Sequence, residues 1–119
     1  MSTVAGMMAG GLPQITAQTV AGEYSALAAT GTTQATAASV KNTIHSLTGA
    51  GDTGVILPLA TVGDEFTLAN ISGNTIKVYP PVGGALNGGT ANDAISVATA
   101  KVATCKAYTN LDYAVTVGA

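Results

Sequence analysis

The chain has 119 residues, carries a net charge of −2 and is 8% charged. That length houses one core rather than two, and so small a net charge excludes a disordered polyelectrolyte. Four Lys, no Arg, one His and one Cys argue against nucleic-acid binding, a multi-ligand metal site and an internal disulfide.

Ala, Gly and Thr make up nearly half the chain. Such side chains give a thin core with little apolar burial per residue. An oligomer remedies that deficit by extending the core across subunits, and a charge-poor surface suits a protein that is mostly contact surface.

Residues 1–20 differ from the rest. They hold all three Met residues, the pair Gly10-Gly11 and Pro13, and no charge. They read as an extended N-terminal arm with apolar anchors at Met7, Met8, Leu12 and Ile15. They have no basic start, and Gly10, Gly11 and Pro13 interrupt their apolar stretch, so they read poorly as a secretory signal. Residues 21–119 read as one β domain.

Within that domain, short Thr-rich or apolar runs alternate with turn residues. Strands are expected at 24–29, 34–40, 43–47, 54–57, 65–71, 75–79, 94–98, 102–108 and 113–117. Ile76 and Val78 share one face, opposite Thr75, Lys77 and Tyr79. Leu111, Tyr113, Val115 and Val117 share another, opposite Ala114 and Thr116. Ser72-Gly73-Asn74 reads as a hairpin turn with a positive φ at Gly73 or Asn74. Turn signals at this spacing predict an all-β fold, a small antiparallel sandwich or barrel. No solenoid period is visible. Val55-Ile56-Leu57-Pro58-Leu59 is too short an apolar run to cross a membrane as a helix.

Few residues offer chemistry. Gly49, Gly51 and Gly54 have dinucleotide-fingerprint spacing, but Val55-Ile56-Leu57-Pro58 follows where a helix would have to start. His45 and Cys105 lack a third orienting group, and His45 reads as a surface or interface residue. Asp64 and Glu65 are strand neighbours and point to opposite faces, so Asp64 reads as a turn cap after Gly63. The run from Asn87 to Asp93 has a single carboxylate and reads as a tight turn rather than a calcium loop. Asn70-Ile71-Ser72 matches a glycosylation acceptor. No catalytic set and no cofactor are expected.

A longer pattern resembles that of a known family. Its parts are Gly54-Val55-Ile56-Leu57-Pro58, Gly63-Asp64-Glu65-Phe66, Val78-Tyr79-Pro80-Pro81, Leu86-Asn87-Gly88 and Cys105-Lys106-Ala107-Tyr108-Thr109-Asn110-Leu111-Asp112-Tyr113. Thr30-Gly31-Thr32-Thr33-Gln34-Ala35-Thr36-Ala37 precedes them. Together they resemble a small β domain found in virion proteins of tailed bacteriophages. The resemblance implies a capsid decoration (cement) protein, a homotrimer on the phage head surface that bridges major capsid proteins. Met7, Met8, Leu12 and Ile15 would be its docking arm, with Tyr24 where arm meets domain. A fibre or tail knob that attaches to a host surface is the alternative. Either way the protein would be made in the host cytoplasm and end in the virion.

Overall fold

The computed structural model describes residues 24–41 and 44–118. Nine strands account for most of the regular structure: β1 (Tyr24–Ala28), β2 (Ala38–Ser39), β3 (Ile44–Thr48), β4 (Gly54–Ile56), β5 (Glu65–Asn70), β6 (Ile76–Tyr79), β7 (Ile95–Val97), β8 (Val102–Ala107) and β9 (Tyr113–Gly118). They form a five-stranded sheet, ordered β1-β3-β5-β8-β9, and a four-stranded sheet, ordered β2-β4-β6-β7. The all-β expectation holds. The antiparallel and barrel expectations do not, because both sheets are mixed and open.

The first six strands alternate between the sheets. β1, β3 and β5 pair in parallel, and so do β2, β4 and β6. Parallel neighbours need a long crossover, commonly a helix. Here a strand of the other sheet supplies each crossover, so the chain coils down one sheet and up the other. One turn of the coil takes about twenty residues, a solenoid-like period. The last three strands then turn back: β7 runs antiparallel to β6, β8 to β5 and β9 to β8.

Both sheets face one core. Leu47, Leu68, Cys105 and Tyr113 come from the larger sheet, and Val55, Ile76, Val78 and Val97 from the smaller, all buried in a single cluster. The alternations at Ile76/Val78 and Tyr113/Val115 are as expected. Val117 departs from its row at 41% exposed, near the chain end. On the outer face of the larger sheet, Thr67, Thr104 and Thr116 form a row across three strands. β-branched Thr suits such a surface.

Two elements differ from expectation. The run at 34–40 is a single 3-10 turn over Gln34–Thr36 followed by the two-residue β2. Thr33 caps the turn, exchanging hydrogen bonds with Thr36, as Thr does at helix starts. The 72–74 break is a crossover, because β5 and β6 lie in different sheets. Neither Gly73 nor Asn74 has positive φ; Gly83 (88°) and Gly88 (71°), among others, do.

Gly54 shows why one glycine stands inside a strand. A Cβ there would come 2.6 Å from Cε2 of Tyr79. The Tyr79 ring therefore lies against the Gly54 backbone on the sheet's outer face, and its hydroxyl donates to the Thr32 carbonyl over 3.2 Å. The Gly49–Gly54 run is a turn leading into β4, with no helix after it.

Candidate interaction surface

Three loops meet at one end of the fold. Residues 57–64 follow β4, residues 80–87 follow β6, and residues 108–112 join β8 to β9. The Ala60 amide donates to the Asn110 carbonyl (3.1 Å) and the Gly63 amide to the Ala107 carbonyl (2.8 Å). Asp112 Oδ1 accepts the Ala85 amide (2.9 Å), and the Tyr113 amide donates to the Ala85 carbonyl (3.1 Å). Asp64 caps its turn as expected, Oδ2 accepting the Thr61 amide at 2.9 Å. The Tyr113 hydroxyl donates to the Pro58 carbonyl over 2.7 Å, and its ring lies 6.1 Å from that of Phe66. This end is therefore a braced platform.

Asn87 closes part of the sheet edge beside it. Its Oδ1 accepts the Val115 amide (2.7 Å) and its Nδ2 donates to the Val115 carbonyl (3.0 Å), while its own amide donates to the Tyr113 carbonyl (2.9 Å). The side-chain amide thus stands in for a peptide of a further strand. At Val115 the edge is thus closed to pairing with another chain. The expected tight turn at 87–93 is present, and it carries this cap.

The platform bears exposed apolar side chains. Leu59 (69%), Val62 (67%), Val82 (72%) and Tyr108 (47%) all lie on its three loops. A groove of about 340 Å³ is lined by Ser39 and Val40, by Ile56, Leu57, Pro58 and Leu59, and by Pro81 and Val82. A second hollow of about 410 Å³ lies between β1 and β2, lined by Ser25, Ala26, Leu27, Ser39, Lys41 and His45. Ser39 lines both. Clustered exposed apolar side chains are a feature of interaction surfaces. Sequence reading missed the groove, because Pro58, Leu59, Pro81 and Val82 come from separate loops and no periodicity links them.

Met7, Met8, Leu12 and Ile15 lie outside the described residues. Tyr24 opens β1, where its backbone pairs in register with Ile44 and, through it, with Thr67. That register sets the start of β1 at the end from which β5 starts, beside the platform loops.

His45 is buried, at 1% exposed, rather than at the surface. Its Nε2 accepts the Lys41 amide (3.1 Å). The ring proton therefore sits on Nδ1, which faces the Ser25 carbonyl and hydroxyl, each at 3.1 Å. One imidazole so ties β1, β3 and the link between β2 and β3. Burial lowers its pKa below the usual value, against the opposing pull of the Ser25 carbonyl. Protonation would turn the Nε2 acceptor into a donor facing an N–H. The unfolded chain thus binds this proton more readily, so stability is full above about pH 6.5 and declines as pH falls below it. Urea midpoints at pH 7.5 and pH 5 should differ in the wild type, and the gap should narrow in His45→Gln.

Cys105 is buried on β8, with β5 lying between it and β3, so Cys105 and His45 form no nucleophilic pair. Burial pushes the Cys105 thiol pKa up to about 12. A thiol reagent at pH 8 should leave it unmodified in the folded protein and label it fully in denaturant. Among the described residues no group of three His, Cys, Asp or Glu is placed to hold a metal, and no helix is long and apolar enough to cross a membrane. The Asn70 acceptor match falls on a residue that is 1% exposed with both amide hydrogens engaged, so it offers no site for a glycan.

Searches against family models, curated proteins and solved structures each found no match to this chain.

Proposed function

We propose that the protein is a capsid decoration (cement) protein of a tailed bacteriophage. In this reading it sits as a homotrimer on the outer head surface and bridges neighbouring major capsid proteins. One coincidence supports it most. The segment carrying Met7, Met8, Leu12 and Ile15 precedes β1 in sequence, and β1 starts at the end of the fold whose loops expose Leu59, Val62, Val82 and Tyr108. The platform thus offers an apolar contact surface at the end of the fold where β1 starts. The resemblance of the turn pattern to phage virion domains points the same way.

The work of such a protein is mechanical. Whatever binds the intact shell and not its parts shifts the equilibrium toward the shell. That needs no cofactor and no reaction. A sugar-binding knob finds less support, because Tyr79 and Tyr113 are buried and Tyr108 alone of these three is exposed. Stacking on a sugar needs an exposed ring face.

Deleting residues 2–15 tests the arm. The truncated chain is expected to keep its cooperative melting transition and to lose binding to phage heads. Undiminished head binding would overturn the arm's role.

A further inference from the structure

We propose that Asn87 is a site of deamidation by water, and that its conversion to aspartate or isoaspartate opens the edge of β9 at Val115. This chemistry is independent of the decoration reading.

The reaction makes three demands at an asparagine. The next residue must carry no side chain that crowds the new ring, its backbone nitrogen must be free to attack, and water must reach the site. Asn87 is followed by Gly88, and both residues are exposed. A Cβ at Gly88 would meet nothing within 4 Å, so the turn is open there. The amides on either side are in use. That of Asn87 donates to the Tyr113 carbonyl (2.9 Å) and that of Gly89 to the Leu86 carbonyl (2.9 Å). The Gly88 amide between them donates to none of the described residues.

Each of the other described asparagines fails one demand. The amide after Asn70 donates to the Leu47 carbonyl, and the amide after Asn92 to the Thr90 carbonyl. The amide after Asn110 donates to the Thr109 hydroxyl. Asn74 is followed by Thr75, whose branched Cβ crowds the approach.

In the first step the Gly88 nitrogen attacks Cγ of Asn87 and loses its proton to solvent. The bond from Cγ to Nδ2 breaks, and Nδ2 leaves as ammonia. A five-membered cyclic imide remains. Water then adds to either imide carbonyl and opens the ring. Overall one amide and one water become a carboxylate and an ammonium ion, and nothing is oxidised or reduced.

The fold restrains this reaction through the same side chain. Oδ1 accepts the Val115 amide and Nδ2 donates to the Val115 carbonyl. Attack makes Cγ tetrahedral, which a planar amide paired at both ends cannot become while both bonds last. Two hydrogen bonds of ordinary net strength leave about one molecule in thirty open. Conversion then removes the restraint permanently. Neither product carries the Nδ2 donor, and aspartate sets a carboxylate oxygen against the Val115 carbonyl. The Val115 amide and carbonyl are left unpaired on an edge strand, where another chain can pair with them.

Peptide mass spectrometry of the full-length protein, aged at mildly alkaline pH while folded or in guanidinium chloride, tests the site. In the folded protein, acid is expected at position 87 ahead of positions 70, 74, 92 and 110. The folded rate at 87 should be about thirtyfold below the unfolded rate. Hydrogen exchange at the Val115 amide, followed by nuclear magnetic resonance, should quicken about tenfold in the aged protein and in Asn87→Asp. Aspartate tolerates the φ of 54° at this position as asparagine does, so the variant alters the cap and spares the backbone. The aged wild type gives the same reading with no substitution at all. Acid appearing no sooner at 87 than at the other four positions would overturn the proposal, as would equal rates in the folded and unfolded chain. Unchanged exchange at Val115 in the converted protein would overturn the opening of the edge.

Discussion

Gly84→Ala is expected to destabilise the protein by about 3 kcal/mol, the upper range for overpacking. Gly84 is buried where the loop after β6 crosses the β8–β9 turn. A Cβ there would overlap the Leu111 carbonyl oxygen, lie 2.9 Å from its carbon, and press on the Pro81 carbonyl oxygen at 3.2 Å. Backbone cannot swing aside as a side chain does. The two loops would have to part, straining the Asp112–Ala85 and Tyr113–Ala85 hydrogen bonds that hold the platform together. For a chain of this size the melting point should fall by roughly 12 °C. Gly83→Ala is the control. Gly83 has φ of 88° and open space around its would-be Cβ, so it should cost only about 1 kcal/mol, from conformation alone. Equal losses at the two positions, read by thermal melting, would contradict the close approach.

Asn70→Ala should cost a similar amount, about 3 kcal/mol, by a different route. Asn70 Nδ2 donates to the carbonyls of Asn74 and Val97, each at 2.8 Å. Its Oδ1 accepts the Ser72 hydroxyl (2.6 Å) and amide (3.0 Å). The residue ends β5 in one sheet and grips β7 in the other. It also shapes the crossover between β5 and β6, where the Thr99 hydroxyl donates to the Ser72 carbonyl. Removing the amide leaves buried partners without a mate, which costs more than losing a matched pair. Asn70→Asp should be as damaging at neutral pH, since a carboxylate would face two carbonyl oxygens. It should recover in part toward about pH 4, where a protonated carboxyl again donates. Urea titrations at the two pH values check this, and a variant indifferent to pH would contradict the assigned donor role.

Much of the fold is legible in the sequence. Each expected strand overlaps one found, because Gly, Pro and Asn punctuate runs such as 75–79 and 102–108 sharply. Burial of Ile76, Val78, Tyr113 and Val115 follows from period-two alternation alone. Strand direction does not. A strand with one buried face alternates in the same way whether its neighbour runs parallel or antiparallel. The coil stayed hidden because its turns share a length of about twenty residues without sharing residues at fixed places. Misreading 34–40 as a strand has a local cause: Thr33 and Thr36 satisfy each other, and this side-chain exchange competes with a ladder. His45 looked superficial because nothing in the sequence reveals that Lys41 and Ser25 supply its acceptor and donor partners. The groove was invisible for a related reason: Leu59 and Val82 come to line one groove only after β4 and β6 align in register.

The decoration proposal requires this chain to bind phage heads. The most direct measurement is sedimentation of the purified full-length protein, alone and with intact heads that lack it. Co-sedimentation at a fixed stoichiometry is expected, with the decorated heads surviving heating that ruptures bare ones. A stable oligomer that stays in the supernatant, with heads no more heat-resistant for its presence, would contradict it.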